Sequence, residues 1–177
     1  LLQAGLLPGN FWPNPTLEAS SSGVPNFWHK GGNSTAIDLW TTSLSVSPTH
    51  SFQLNDTSTS TYGEWYSDRV NISAGTNYQL RYNLRYIITN VGPMRVTMNF
   101  YSAANAYVSE LSYLFAGTHD FWEEFTQSLT APAGAAKLEL HFTSGGGSDV
   151  TGQAWLDDIS LALASNVIIA QLPVRVT

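Results

Sequence analysis

The chain of 177 residues contains no cysteine, so a disulfide framework, thiol catalysis and thiolate metal ligation are all excluded. Charge is scarce too. Only 11% of residues are charged, where about a quarter is usual. Basic residues are the scarcer kind, seven Lys and Arg against thirteen Asp and Glu, for a net charge of −6. Nucleic-acid binding needs a basic face that displaces counterions from phosphates, so that partner is disfavoured. No run of about 20 apolar residues occurs, which leaves no helix able to span a bilayer and no expected membrane partner. The opening Leu-Leu-Gln-Ala-Gly-Leu-Leu is too short for a signal sequence with its flanks and has no initiator Met. It reads as part of a segment excised from a longer protein, and the lack of cysteine is compatible with a secreted one.

In place of charge there is Ser, Thr, Asn and Gly, set among 43% hydrophobic residues. That apolar content argues against disorder. The pattern is alternation with period two, the mark of strands with one buried face. In Tyr78–Tyr86, Leu80, Tyr82 and Leu84 fall on one side and Arg81, Asn83 and Arg85 on the other. Val96, Met98 and Phe100 alternate with Arg95, Asn99 and Tyr101, and Leu138, Leu140 and Phe142 with Lys137, Glu139 and His141. Trp155, Asp157, Ile159, Leu161 and Leu163 are expected on one face of the last clear strand. Further strands are expected at Ser51–Asn55, Tyr66–Ile72 and Trp122–Leu129, and 107–115 reads better as strand than helix because Tyr and Phe favour it. Gly and Pro turns separate these segments, as in a sandwich or barrel. The expected layout is an extension at 1–9, one β-sandwich at 10–165, and a final edge strand or linker at 166–177.

Four segments, in order, resemble carbohydrate-binding modules of families 4, 9 and 22. They are Asn14-Pro-Thr-Leu-Glu18; Ser73-Ala-Gly-Thr-Asn-Tyr-Gln-Leu-Arg-Tyr82; Trp122-Glu-Glu-Phe-Thr-Gln-Ser-Leu-Thr-Ala-Pro132; and Ala154-Trp-Leu-Asp-Asp-Ile-Ser-Leu161. Gln127 stands where those modules usually have an apolar residue. The resemblance implies an all-β, two-sheet antiparallel β-sandwich of the jelly-roll type. It also implies a non-catalytic module, tethered to a catalytic domain, that holds plant or algal cell-wall polysaccharide. A structural calcium is implied as well, with Glu18 and Asp157 at the matching positions and Asn14 as a further donor. A carboxylate on a core-directed face costs several kcal/mol unless paired or coordinated, which is why Asp157 suggests a cation.

Sugar sites pair an aromatic platform with fixed polar groups. The outward rows supply Arg81, Asn83 and Arg85; Asn99 and Tyr101; Glu139 and His141. If those strands share a sheet, they form a single polar strip. Trp65 with Tyr66, and Trp28 with His29 in a Gly-rich stretch, are candidate platforms, and the resemblance favours Trp65, Tyr101 and Glu139. The bland readings are core packing for the Trp residues and a salt-bridged surface for Arg81, Arg85 and Glu139.

Nothing singles out a catalytic pair. Glu123 and Glu124 are adjacent and point to opposite faces of a strand. The four His lack zinc spacing, and no nucleophile elbow is present. The expectation is a non-enzyme that binds neutral or weakly charged glycan. The alternatives are a jelly-roll lyase using Tyr101, His141 and Arg81 or Arg85, and a structural or adhesive sandwich without sugar affinity.

Overall fold

The computed structural model describes residues 9–34, 37–90, 92–145 and 150–166. These form strands β1 (Trp28–Gly32), β2 (Asp38–Thr41), β3 (Ser51–Asp56), β4 (Gly63–Ser67), β5 (Val70–Asn71) and β6 (Asn77–Ile88). There follow β7 (Met94–Tyr101), β8 (Tyr107–Phe115), β9 (Thr118–Thr130), β10 (Lys137–Thr143) and β11 (Gly152–Leu163), closed by a short 3₁₀ turn at Ala164–Asn166. The first sheet has the order β1-β4-β10-β7-β8, with β5 also on β10; the second has the order β2-β3-β11-β6-β9. Neighbouring strands are antiparallel throughout both sheets. This is a two-sheet antiparallel β-sandwich of the jelly-roll type.

The core lies between the sheets. Trp28, Trp65, Val96, Met98, Phe100, Leu138, Leu140 and Phe142 enter from the first sheet, and Phe52, Leu54, Leu80, Tyr82, Leu84, Leu156, Ile159 and Leu161 from the second. The Phe52 and Trp65 rings join the layers by stacking at 4.3 Å. Alternation is what makes the long core strands, since they place apolar residues on one face and mostly polar ones on the other.

Three expectations change. The Gly-rich stretch at 28–32 is the edge strand β1, and the expected strand Tyr66–Ile72 splits into β4 and β5 around Asp68-Arg69. The single face of the last strand is broken by a β-bulge between Asp157 and Ser160, where Asp158 has φ 50°. One extra residue inverts the phase. Ile159 and Leu161 therefore point into the core, whereas Trp155 and Asp157 face outward, in register with Arg85 and Asn83. The expected extensions lie mostly outside the described residues, at 1–8 and 167–177.

Candidate functional site

The expected strip does not sit on one sheet. Asn99 and Tyr101 on β7 and Glu139 and His141 on β10 belong to the first sheet, while Arg81, Asn83 and Arg85 on β6 belong to the second. Alternation tells inward from outward but is silent on which strands pair, so it merged two outer faces into one.

The two tryptophan platforms are also corrected. Trp65 is fully buried and Trp28 is 2% exposed. Both fall on inward positions of β4 and β1, packing on Phe52 at 4.3 and 4.9 Å. Their neighbours Tyr66 and His29 take the outward positions. In register across the first sheet stand His29, Tyr66, His141, Thr97 and Ser112. The first three rings follow one another at 5.0 and 5.7 Å, His29 tilted by 32° to Tyr66 and Tyr66 stacked on His141. A parallel row carries Glu139, Asn99 and Glu110, and beyond it Lys137, Tyr101 and Tyr107. With about 4.8 Å between strands, the face from β1 to β8 is about 19 Å wide. Gly31 leaves room on this face: a Cβ there would lie 2.5 Å from Glu64 Oε2 and 3.3 Å from the Tyr66 ring.

A charged network fixes the centre. His141 Nδ1 meets Glu64 Oε1 at 2.7 Å and its Nε2 meets Glu139 Oε1 at 2.8 Å. Arg69, from the β4–β5 break, donates to Glu139 Oε2 at 2.9 Å and lays its guanidinium 3.6 Å above the Tyr101 ring. The Tyr101 hydroxyl donates to Glu139 Oε1 at 3.1 Å. Burial alone disfavours the charged form of His141, but its bonds to Glu139 and Glu64 outweigh that and raise its pKa to about 9. Burial likewise pushes Glu139 up, and hydrogen bonds from His141 and Arg69 bring it below the usual carboxylate range. The Asn99 Oδ1 is buried without a hydrogen-bond partner. The sequence reading paired Tyr66 with Trp65 as a stacking candidate, gave Glu64 no part in binding and missed Arg69. The alternation of Glu64, Trp65 and Tyr66 in β4 carries a signal for Glu64 and Tyr66, but Arg69 lies in a loop and carries none.

The outer face of the second sheet is occupied differently. Arg81 pairs with Glu124 at 3.4 Å and Arg85 with Asp120 at 2.6 Å. Asn83 is buried, its amide 3.4 Å from Asp158 Oδ2. Trp155 lies beneath Arg85, 4% exposed. The Val46 and Ser47 amides donate to Asp157 Oδ2, and the Ser47 hydroxyl and Asp158 amide to its Oδ1. The 42–50 connection is thereby fastened over this face.

Those four donors occupy the lone-pair sites a carboxylate offers, although burial and the neighbouring Asp158 raise the pKa of Asp157 to about 7. Glu18 is bonded to the His50 amide, His50 Nδ1 and the Thr49 hydroxyl. Asn14 braces a turn through Ala19 and Asn26. Among the described residues no group of three or more His, Cys, Asp or Glu gathers for a metal. Calcium requires six to eight oxygen lone pairs converging on one point, whereas those of Glu18, Asp157 and Asn14 converge on N–H and O–H groups. As arranged, the set does not fit the ion.

No protein-family model matches the chain, and no curated protein does. Solved structures share the fold. Bacteriophage CBA120 tailspike protein 4, enzymatically active domain, superposes with a TM-score of 0.68 at 14% identity over 87% of this chain, which spans 21% of that chain. The family 61 module TmCBM61, in complex with β-1,4-galactotriose, gives 0.58 at 12% identity over 87% of this chain and 98% of its own. The CBM22-1 xylan-binding domain of Paenibacillus barcinonensis Xyn10C gives 0.54 at 11%, over 84% and 90%. At such identities the likeness is one of fold.

Proposed function

We propose that this chain, built on the jelly roll of carbohydrate-binding modules, binds polysaccharide without cleaving it, across the outer face of its first sheet. The observation that carries the reading is that Tyr66, Tyr101 and Tyr107 flank a network of Glu64, His141, Glu139 and Arg69 whose members hold one another in place. Aromatic rings offer surfaces for the C–H faces of sugars, and prefixed carboxylates accept hydroxyl hydrogens at little further cost in side-chain entropy. The central cations, Arg69 and His141, are already matched to carboxylates, which favours a neutral or weakly charged glycan of plant or algal cell walls over a strongly acidic one. A secreted parent protein with a catalytic domain is the setting proposed, and the comparable domain's occupying a fifth of the tailspike chain supports a modular role.

The chemistry of the network opposes catalysis. Both His141 nitrogens are committed to carboxylates and the ring is protonated at neutral pH, so it lacks the lone pair a lyase base needs. Glu139 is held ionised, whereas a glycosidase acid requires a raised pKa. Affinity electrophoresis on cellulose, xylan, mixed-linkage β-glucan and alginate tests the reading. Retardation that disappears in Tyr101→Ala and survives in Arg85→Ala supports it. Cleavage products favour the lyase, and no retardation on any gel favours a structural sandwich.

A further inference from the structure

Beyond the β1 edge of the face lies a pocket of about 480 Å³, lined by Ser21, Ser22, Asn26, Phe27, His29 and Tyr66 among others. It continues the His29–Tyr66 end of the row of rings. At its rim Phe27 is 43% exposed and has φ 70°, a left-handed conformation that non-glycine residues avoid. Gly23, in the same turn, takes φ 77° without that strain. The strain at Phe27 is enforced from both sides. Asn26 N–H donates to Ala19 O and Trp28 N–H to Pro25 O, while Phe27 O accepts from Asp68 N–H and Asn26 O from Asn14 Nδ2. A large apolar side chain left half in water gains little stability to offset a strained backbone. It lines, however, the same pocket as His29, Tyr66 and the polar Ser21, Ser22 and Asn26.

We propose that this pocket is a separate sugar subsite, in which the Phe27 ring stacks on the apolar face of a neutral sugar while Ser21, Ser22 and Asn26 meet its hydroxyls. The proposal rests on the glycan-binding reading above. Neutrality follows from the charges present: His29 faces Asp68 at 2.8 Å, and Lys30 Nζ turns away to the Asp38 carbonyl. A uronate therefore meets no free cation among the pocket-lining residues.

The test sets stability against binding. Asn tolerates the left-handed region, so Phe27→Asn melts at or above the wild-type temperature. Calorimetric titration with xylo- and gluco-oligosaccharides of increasing length then reads affinity. The longest ligand that binds the wild type loses about five- to tenfold with Phe27→Asn or Phe27→Ala, Phe27→Trp retains it, and the shortest ligands are unaffected. Wild-type affinity at every length in Phe27→Asn, or a lower melting temperature for that variant, overturns the subsite alone. A wild-type protein that binds no glycan overturns the underlying reading and the subsite with it.

Discussion

Replacing His141 with glutamine removes the cation from between Glu64 and Glu139. The imidazole is raised from 6.5 to about 9 in the folded chain, roughly 2.5 units, or about 3 kcal/mol of preference for the protonated form. The side chain is 14% exposed, so solvent screening removes little of this. A raised folded pKa means that the stabilisation is complete below the unfolded value of 6.5 and is lost as pH climbs through about 9. For a domain of this length 1 kcal/mol moves the melting point by about 2–4 °C. His141→Gln is therefore expected to melt about 6–12 °C below wild type near pH 6, with the gap closing near pH 10. Thermal melts followed by circular dichroism at several pH values measure it. Differencing against wild type cancels the Tyr and Lys titrations common to both proteins. A gap that is constant with pH would refute the argument, because only the imidazole titrates in one protein and not the other.

Asp38 is fully buried and neither of its oxygens makes a well-formed hydrogen bond; burial lifts its pKa to about 7. Its ionisation costs stability increasingly as pH rises from 3.8 to about 7, so Asp38→Asn gains on the order of 2–4 kcal/mol near pH 8 and almost nothing near pH 4. Equal gains at both pH values in denaturant titrations would contradict this. Trp65→Ala, by emptying the stack on Phe52, costs about 3–5 kcal/mol, yet Trp65→Phe retains glycan binding below its melting point; selective loss of binding in that variant would return Trp65 to the ligand site. Chelator leaves the melting temperature unchanged, since Asp157 is satisfied by Val46, Ser47 and Asp158; a drop on chelation, reversed by added calcium, would contradict the fit argued here.

Much of the architecture was readable from alternation alone. Tyr78–Tyr86, Arg95–Tyr101 and Lys137–Thr143 gave β6, β7 and β10 with correct inner faces, because a period-two run has only one way to bury its apolar side. The short strands were harder. β1 contains two glycines and β2 is four residues long, too little for a period to emerge. At the site, Tyr101, Glu139, Asn99 and His141 were found together, whereas Arg81, Asn83 and Arg85 were joined to them wrongly. Sheet membership is set by pairings between residues far apart in sequence, such as Glu139 with Asn99 and Asn83 with Asp157. The inversion at Asp158 was invisible for a related reason: a bulge of one residue leaves the composition of a strand intact while reversing what each position faces.

The central claim is that glycan lies on the first sheet. Titrating ¹⁵N-labelled protein with soluble fragments of whichever polysaccharide retards it, and mapping the amide shifts, tests this most directly. The expected result is a cluster of perturbed signals at Glu64–Ser67, Asn99–Tyr101 and Glu139–His141, with β6 and β9 silent. Perturbations centred on Arg81–Arg85 and Asp120–Glu124 instead would place the ligand on the opposite face and contradict the account.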